Sequence, residues 1–159
     1  MAAVIAAVGS STAYAQSNTS TGTLNVQATV ASACSVANAA LSFGPINPIA
    51  GAALAVNTNI LVTCTQGTTF QVALGDGANA SSGQRRMKGT NTGSFLSYEL
   101  YQDAAGATRF GDAVNGQRVL NQSGLGTVAN SIPVHASVLS GQNSPADAYA
   151  DNVQIKIYY

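Results

Sequence analysis

Strict alternation between apolar and polar residues recurs along this chain, and it suits strands far better than helices. Leu24, Val26, Ala28 and Val30 alternate with Asn25, Gln27 and Thr29, the period of two of a half-buried strand. From Val56 to Thr65 the pattern sets Val56, Ile60, Val62 and Cys64 on one face. Phe70, Val72 and Leu74 continue it and end at Gly75-Asp76-Gly77, a strong turn signal. Residues 77–84 read as loop, and so does Val114 to Thr127. Leu96, Tyr98 and Leu100 mark another strand, and Ile132, Val134, Ala136 and Val138 mark the next. Val153, Ile155, Ile157 and Tyr159 close the chain. No stretch past Gln16 combines helical apolar spacing with caps. Short strands at regular intervals predict an all-β sandwich or barrel, and 159 residues suit one such domain.

The first residues follow a different rule. Met1 to Val8 is a short apolar run, followed by Gly9 to Thr12 and then Ala13-Tyr14-Ala15 before Gln16. A short apolar core ahead of an A-x-A site reads as a secretory signal over residues 1–15, too short to span a bilayer. No Lys or Arg precedes the run, which leaves room for a start upstream of Met1. Residues 16–30 then form a polar leader and the first alternating strand, and residues 31–159 form the domain proper. Export bears on the two cysteines, Cys34 and Cys64. Two separated cysteines in an exported chain favour one disulfide, here Cys34–Cys64, worth about 2–4 kcal/mol through restriction of the unfolded chain. A metal site lacks ligands, because His135 is the only histidine and no second cysteine pair exists.

Charge narrows the function classes. Only 8% of residues are Asp, Glu, Lys or Arg, against roughly 25% in a typical soluble domain. Six basic and six acidic residues cancel, so no net field draws nucleic acid, anionic lipid or an acidic substrate. A surface of hydroxyls and amides repels its neighbours weakly, which suits a protein that assembles.

The two ends of the strand series are complementary. The last strand stops on a core-facing residue with no strand after it, so an immunoglobulin-like sandwich ending there would leave a groove open to its core. The first strand is apolar on one face, follows a polar leader, and can reach away from its own domain. An open groove and a loose complementary strand in one molecule make a head-to-tail contact that does not close, and the product is a fibre.

Several motifs together resemble a known family. They are Cys34-Ser35-Val36, Leu41-Ser42-Phe43-Gly44 with Pro45 to Pro48, and Leu61 to Thr65 leading into Phe70-Gln71-Val72. Arg85-Arg86-Met87, Leu96 to Tyr101, Arg109 to Asp112 and the ending Ile157-Tyr158-Tyr159 belong to the same set. In order and spacing they resemble the spore coat protein U domain, a family that includes archaic, Csu-type chaperone–usher pilins. The resemblance implies an incomplete immunoglobulin-like β-sandwich completed by a donor strand from a neighbouring subunit. It implies a donor strand over Thr21 to Val30, with Leu24, Val26, Ala28 and Val30 pointing inward. Val153, Ile155, Ile157 and Tyr159 would line the acceptor groove. The implied partners are identical subunits in a filament, a periplasmic chaperone and an outer-membrane usher. The implied location is a cell-surface pilus reached through the periplasm, with roles in adhesion and biofilm formation.

No catalytic arrangement stands out. His135 lies opposite the apolar face of its strand, and Glu99, the sole Glu, lies opposite Tyr98 and Leu100, which predicts exposure for both. Asp76 lacks further acidic ligands at calcium-loop spacing and reads as a turn residue. Arg85, Arg86 and Lys88 read as a small solvated patch, too narrow for nucleic acid. No cofactor motif occurs. The expected class is therefore a structural subunit without enzymatic activity, cofactor, metal or membrane insertion. The alternatives are a tip adhesin, a carbohydrate-binding β-sandwich, or a spore or cell coat component.

Overall fold

The computed structural model describes residues 18–47 and 54–159, so the signal expected over 1–15 lies outside the described residues. The chain divides between Val30 and Ala31 into two units. In the first, residues 18–30 form no strand, and Leu24, Val26 and Val30 are 85, 82 and 81% exposed. The alternation there predicts a strand, but a strand needs a partner for its backbone hydrogen bonds.

The second unit holds nine strands among its described residues. They are β1 (Cys34–Val36), β2 (Leu54–Cys64), β3 (Thr69–Leu74), β4 (Arg86–Gly89) and β5 (Phe95–Tyr101). β6 (Val119–Ser123), β7 (Asn130–Val138), β8 (Tyr149–Ala150) and β9 (Ile155–Tyr158) follow. No helix occurs among the described residues, so none is long and apolar enough to cross a membrane. All named pairings are antiparallel, in a six-stranded sheet ordered β1-β2-β7-β5-β4-β8 and a three-stranded sheet ordered β6-β3-β9. The architecture is an immunoglobulin-like β-sandwich.

The predicted alternation supplies the core. Ile60, Val62 and Cys64 of β2 face inward with Ile132, Val134, Ala136 and Val138 of β7, and Ile60 lies directly opposite Ile132. Phe70, Val72 and Leu74 of β3 and Leu96, Tyr98 and Leu100 of β5 join the same cluster. Each large aliphatic or Phe side chain so buried stabilises by roughly 1.5–3 kcal/mol. Pro133 lies beyond the last β5–β7 partners, Tyr101 and His135, so β7 is locally an edge where proline is tolerated.

Four expectations need correction. Val114 to Thr127 is not all loop, because β6 lies within it. β6 pairs with β3 through a register shift between Phe70 and Val72, and Asn121 takes φ 54°, so its alternation is broken. Glu99 is buried rather than exposed, and Arg85 is completely buried rather than solvated, since the two pair with each other. Tyr159 lies one residue past β9 and is 64% exposed, because the core-facing pattern of the last strand ends before it.

Candidate functional site: an open groove beside the last strand

β9 is an edge strand. On one side it pairs with β3, from Gln71↔Tyr158 to Leu74↔Ile155, and the ladder runs on through Gly75 N–H donating to Gln154 O at 3.0 Å. Among the described residues no strand pairs with its other side. A row of unpaired backbone groups there is a template for another strand. Beside this edge lies a groove of about 990 Å³, walled by residues 39–46 and by residues 144–153 with Ile155. Ile60, Leu74, Leu96, Tyr98, Leu100 and Val134 form its floor. All six are core residues at most 6% exposed, so an apolar side chain entering the groove joins the main core directly. Leu41, Phe43, Ile46, Val153 and Ile155 are only partly buried and form the rim.

These residues match the Spore Coat Protein U domain over 20–156. The chain belongs to that family. It is 30% identical over 178 residues to Protein U of Myxococcus xanthus, an alignment covering 99% of this chain and 96% of that protein. Its fold resembles a chain in the crystal structure of the CsuC–CsuE chaperone–tip adhesion subunit pre-assembly complex, from archaic chaperone-usher Csu pili of Acinetobacter baumannii. That likeness has a TM-score of 0.61 at 23% identity, covering 82% of this chain. The chain spans 40% of the length of that neighbour.

In this spore coat U domain the groove walls are held by polar contacts that sequence reasoning missed. Phe43 packs edge-on against Tyr98, with centroids 6.2 Å apart. The Tyr98 hydroxyl donates to Asp151 Oδ2 at 2.7 Å, and Asp151 Oδ1 accepts from Asn79 N and Nδ2 at 3.1 and 2.9 Å. Burial first, then the Asp151 carboxylate, pushes the Tyr98 hydroxyl far above the usual phenol range, so it stays a neutral donor. Gly77 takes φ +92°, and a Cβ there would fall 2.0 Å from Asp151 Oδ2, so this position requires glycine.

Asp147 pins the same 144–151 stretch at a second point. Its carboxylate accepts from the backbone N–H groups of Thr92 (2.8 Å), Asn91 (2.9 Å) and Ala148 (2.8 Å), and from the side chains of Thr92 and Asn91. These donors, Thr92 N–H foremost, hold its carboxyl well below the ordinary carboxylate range. The contacts join the loop before β8 to the β4–β5 turn, alongside the Gly89↔Tyr149 pair.

Behind the groove, Arg85 braces the end of β3. Its Nη1 lies 2.6 Å from Glu99 Oε1, its Nε donates to Gly75 O at 3.0 Å, and its Nη2 donates to Leu74 O at 3.2 Å. Arg109 Nε sits 2.8 Å from Glu99 Oε2 as an ion pair without hydrogen-bond alignment, and its Nη2 donates to Gly83 O. Arg109 also lies 3.4 Å from Asp76, whose other oxygen accepts from Asn115 Nδ2 at 2.6 Å. Asp76 is thus part of a charge cluster. No group of three or more His, Cys, Asp or Glu that could hold a metal ion occurs among the described residues.

The Cys34–Cys64 disulfide is formed, with an S–S distance of 2.07 Å between register partners of β1 and β2. Of the predicted groove residues, Val153 and Ile155 line it; Ile157 pairs with Val72, and Tyr159 is solvent-exposed. The walls at 39–46 and 144–151 carry no alternation, so only the motif around Leu41 to Gly44 could have pointed to either.

Proposed function

We propose that this chain is a structural subunit of an extracellular chaperone–usher pilus that polymerises by donor-strand exchange and supports adhesion and biofilm formation. The observation that carries the reading is the groove, open to the core beside the unpaired edge of β9. Residues 21–30 have the complementary pattern, with Leu24, Val26 and Val30 exposed on an otherwise polar segment. Inserted beside β9 of a neighbour, Leu24, Val26, Ala28 and Val30 would complete its core against Val153 and Ile155, giving a head-to-tail filament of identical subunits. Full burial gains roughly 1.5–3 kcal/mol for each of Leu24, Val26 and Val30. Before assembly the open groove needs cover, the role of a periplasmic chaperone that passes the subunit to an outer-membrane usher. The folded likeness to a chain from a chaperone–subunit complex supports that partner.

The test is one charge. Val26→Asp would carry an unpaired carboxylate into an apolar groove, at a cost of several kcal/mol. Chaperone-bound Val26→Asp subunit should accumulate without filaments, while Asn25→Asp, facing away, should assemble normally. Filaments of Val26→Asp equal to wild type would show that the donor strand is misplaced. A second reading, a spore or cell coat component built by the same exchange, draws on the near-full-length similarity to Protein U. Immunogold labelling of thin surface filaments, as opposed to a continuous coat, separates the two.

A further inference from the structure

The first residues of the body, directly after Val30 in the chain, are tied down. Ala31 O accepts from Thr65 Oγ1 at 3.2 Å, Ala33 N–H donates to Thr65 Oγ1 at 3.2 Å, and Thr65 N–H donates to Ala33 O at 2.9 Å. The next residue, Cys34, is bonded to Cys64. Val30 is therefore one Cα step, about 3.8 Å, from a residue tied to Thr65. On the donor-strand reading, a neighbour that takes Val30 into its groove must bring the groove rim against the surface around Thr65.

The segments that build that surface are uncharged and carry exposed apolar side chains. The turn between β6 and β7 meshes with residues 64–68, since Gly67 N–H donates to Gly124 O at 2.9 Å and Gly126 N–H to Cys64 O at 3.1 Å. Leu125 and Val128 face each other across this turn and are 53 and 60% exposed. Residues 31–36, 61–68 and 119–131 contain no Asp, Glu, Lys, Arg or His. Burying these two adjacent exposed apolar side chains against a neighbour is favourable. A covalently tethered neighbour meets it at high effective concentration, so even a small patch is occupied.

We propose that this pole, centred on Leu125 and Val128, is the seat of a second copy of the chain, making an intersubunit contact beyond strand insertion. The inference rests on the donor-strand reading, and its test separates the two. Hydroxyl-radical footprinting compares filaments with a monomer that carries a fused second copy of residues 21–30. Labelling of Leu125 and Val128 should fall several-fold in filaments. Protection of Leu24 and Val26 with unchanged labelling at Leu125 and Val128 would overturn this proposal and leave strand exchange standing. Absence of filaments, or no protection at Leu24 and Val26, would overturn both. As a second measurement, Leu125→Lys with Val128→Lys should lower the temperature at which filaments disperse without changing the melting of the fused monomer. Unchanged dispersal would also overturn it.

Discussion

Residues 18–30 leave Leu24, Val26 and Val30 more than 80% exposed, whereas the core residues of the body, from Ile60 to Val138, are at most 9% exposed. Both regions obey the same period-two pattern. They differ in hydrogen bonding: the body's strands have neighbours in a sheet, whereas residues 18–30 form no strand among the described residues. Alternation specifies a face, and only a partner turns that face into a strand. The groove beside β9 is the converse: core side chains line it, and among the described residues β9 pairs only with β3.

The sharpest test of that contrast supplies the partner. Fusing a copy of residues 21–30 to the body should raise its melting temperature by tens of degrees on the order expected for large apolar burial. Calorimetry of fused and unfused protein checks this, and equal melting would mean that the groove needs no strand. Next in size is the charge cluster behind the groove. Glu99→Ala leaves Arg85 buried without its carboxylate and should destabilise the fused protein by about 3–5 kcal/mol in urea. Replacing Cys34 and Cys64 with serine should cost about 2–4 kcal/mol, read from the same denaturation curves.

Asp147 gives a smaller, pH-dependent effect. Its folded pKa lies below the ordinary 3.8, so its contribution is present above that value and is lost as pH falls further. Melting of Asp147→Asn and wild type should therefore differ at neutral pH and converge as acid is added below 3.8. Asp103, similarly lowered by Ala107 and Thr108 N–H groups, remains in both and adds the same acid dependence to each. Smallest of all is Val26→Asp in the unfused monomer. An exposed side chain contributes little, so the shift should stay within about 0.5 kcal/mol. A large loss would show that Val26 already serves its own body.

Much of the body was legible because its strongest strands bury every second residue. The inward sets of β2, β3, β5 and β7 follow from the sequence pattern, and so does the pairing of the only two cysteines. The short strands β4 and β8 were not anticipated as strands, since two to four residues carry too little periodicity to register. β6 was hidden by its bulge.

What the sequence determined on its own is the all-β class, the core faces of the long strands and the alternating apolar run before Cys34, because all of these depend on residues close together in the chain. Tertiary structure alone decided the burial of Arg85, which reads in sequence as part of a solvated patch, and of Glu99, which alternation places on an outward face. Arg85 reaches the carbonyls of Leu74 and Gly75 as well as Glu99, and these contacts span ten to fourteen residues of sequence. It also decided the groove walls, where Phe43 meets Tyr98, Tyr98 meets Asp151, and Asp147 meets Asn91 and Thr92. Long polar side chains find partners across loops that no local period encodes, so their burial is settled only when the sheets have packed.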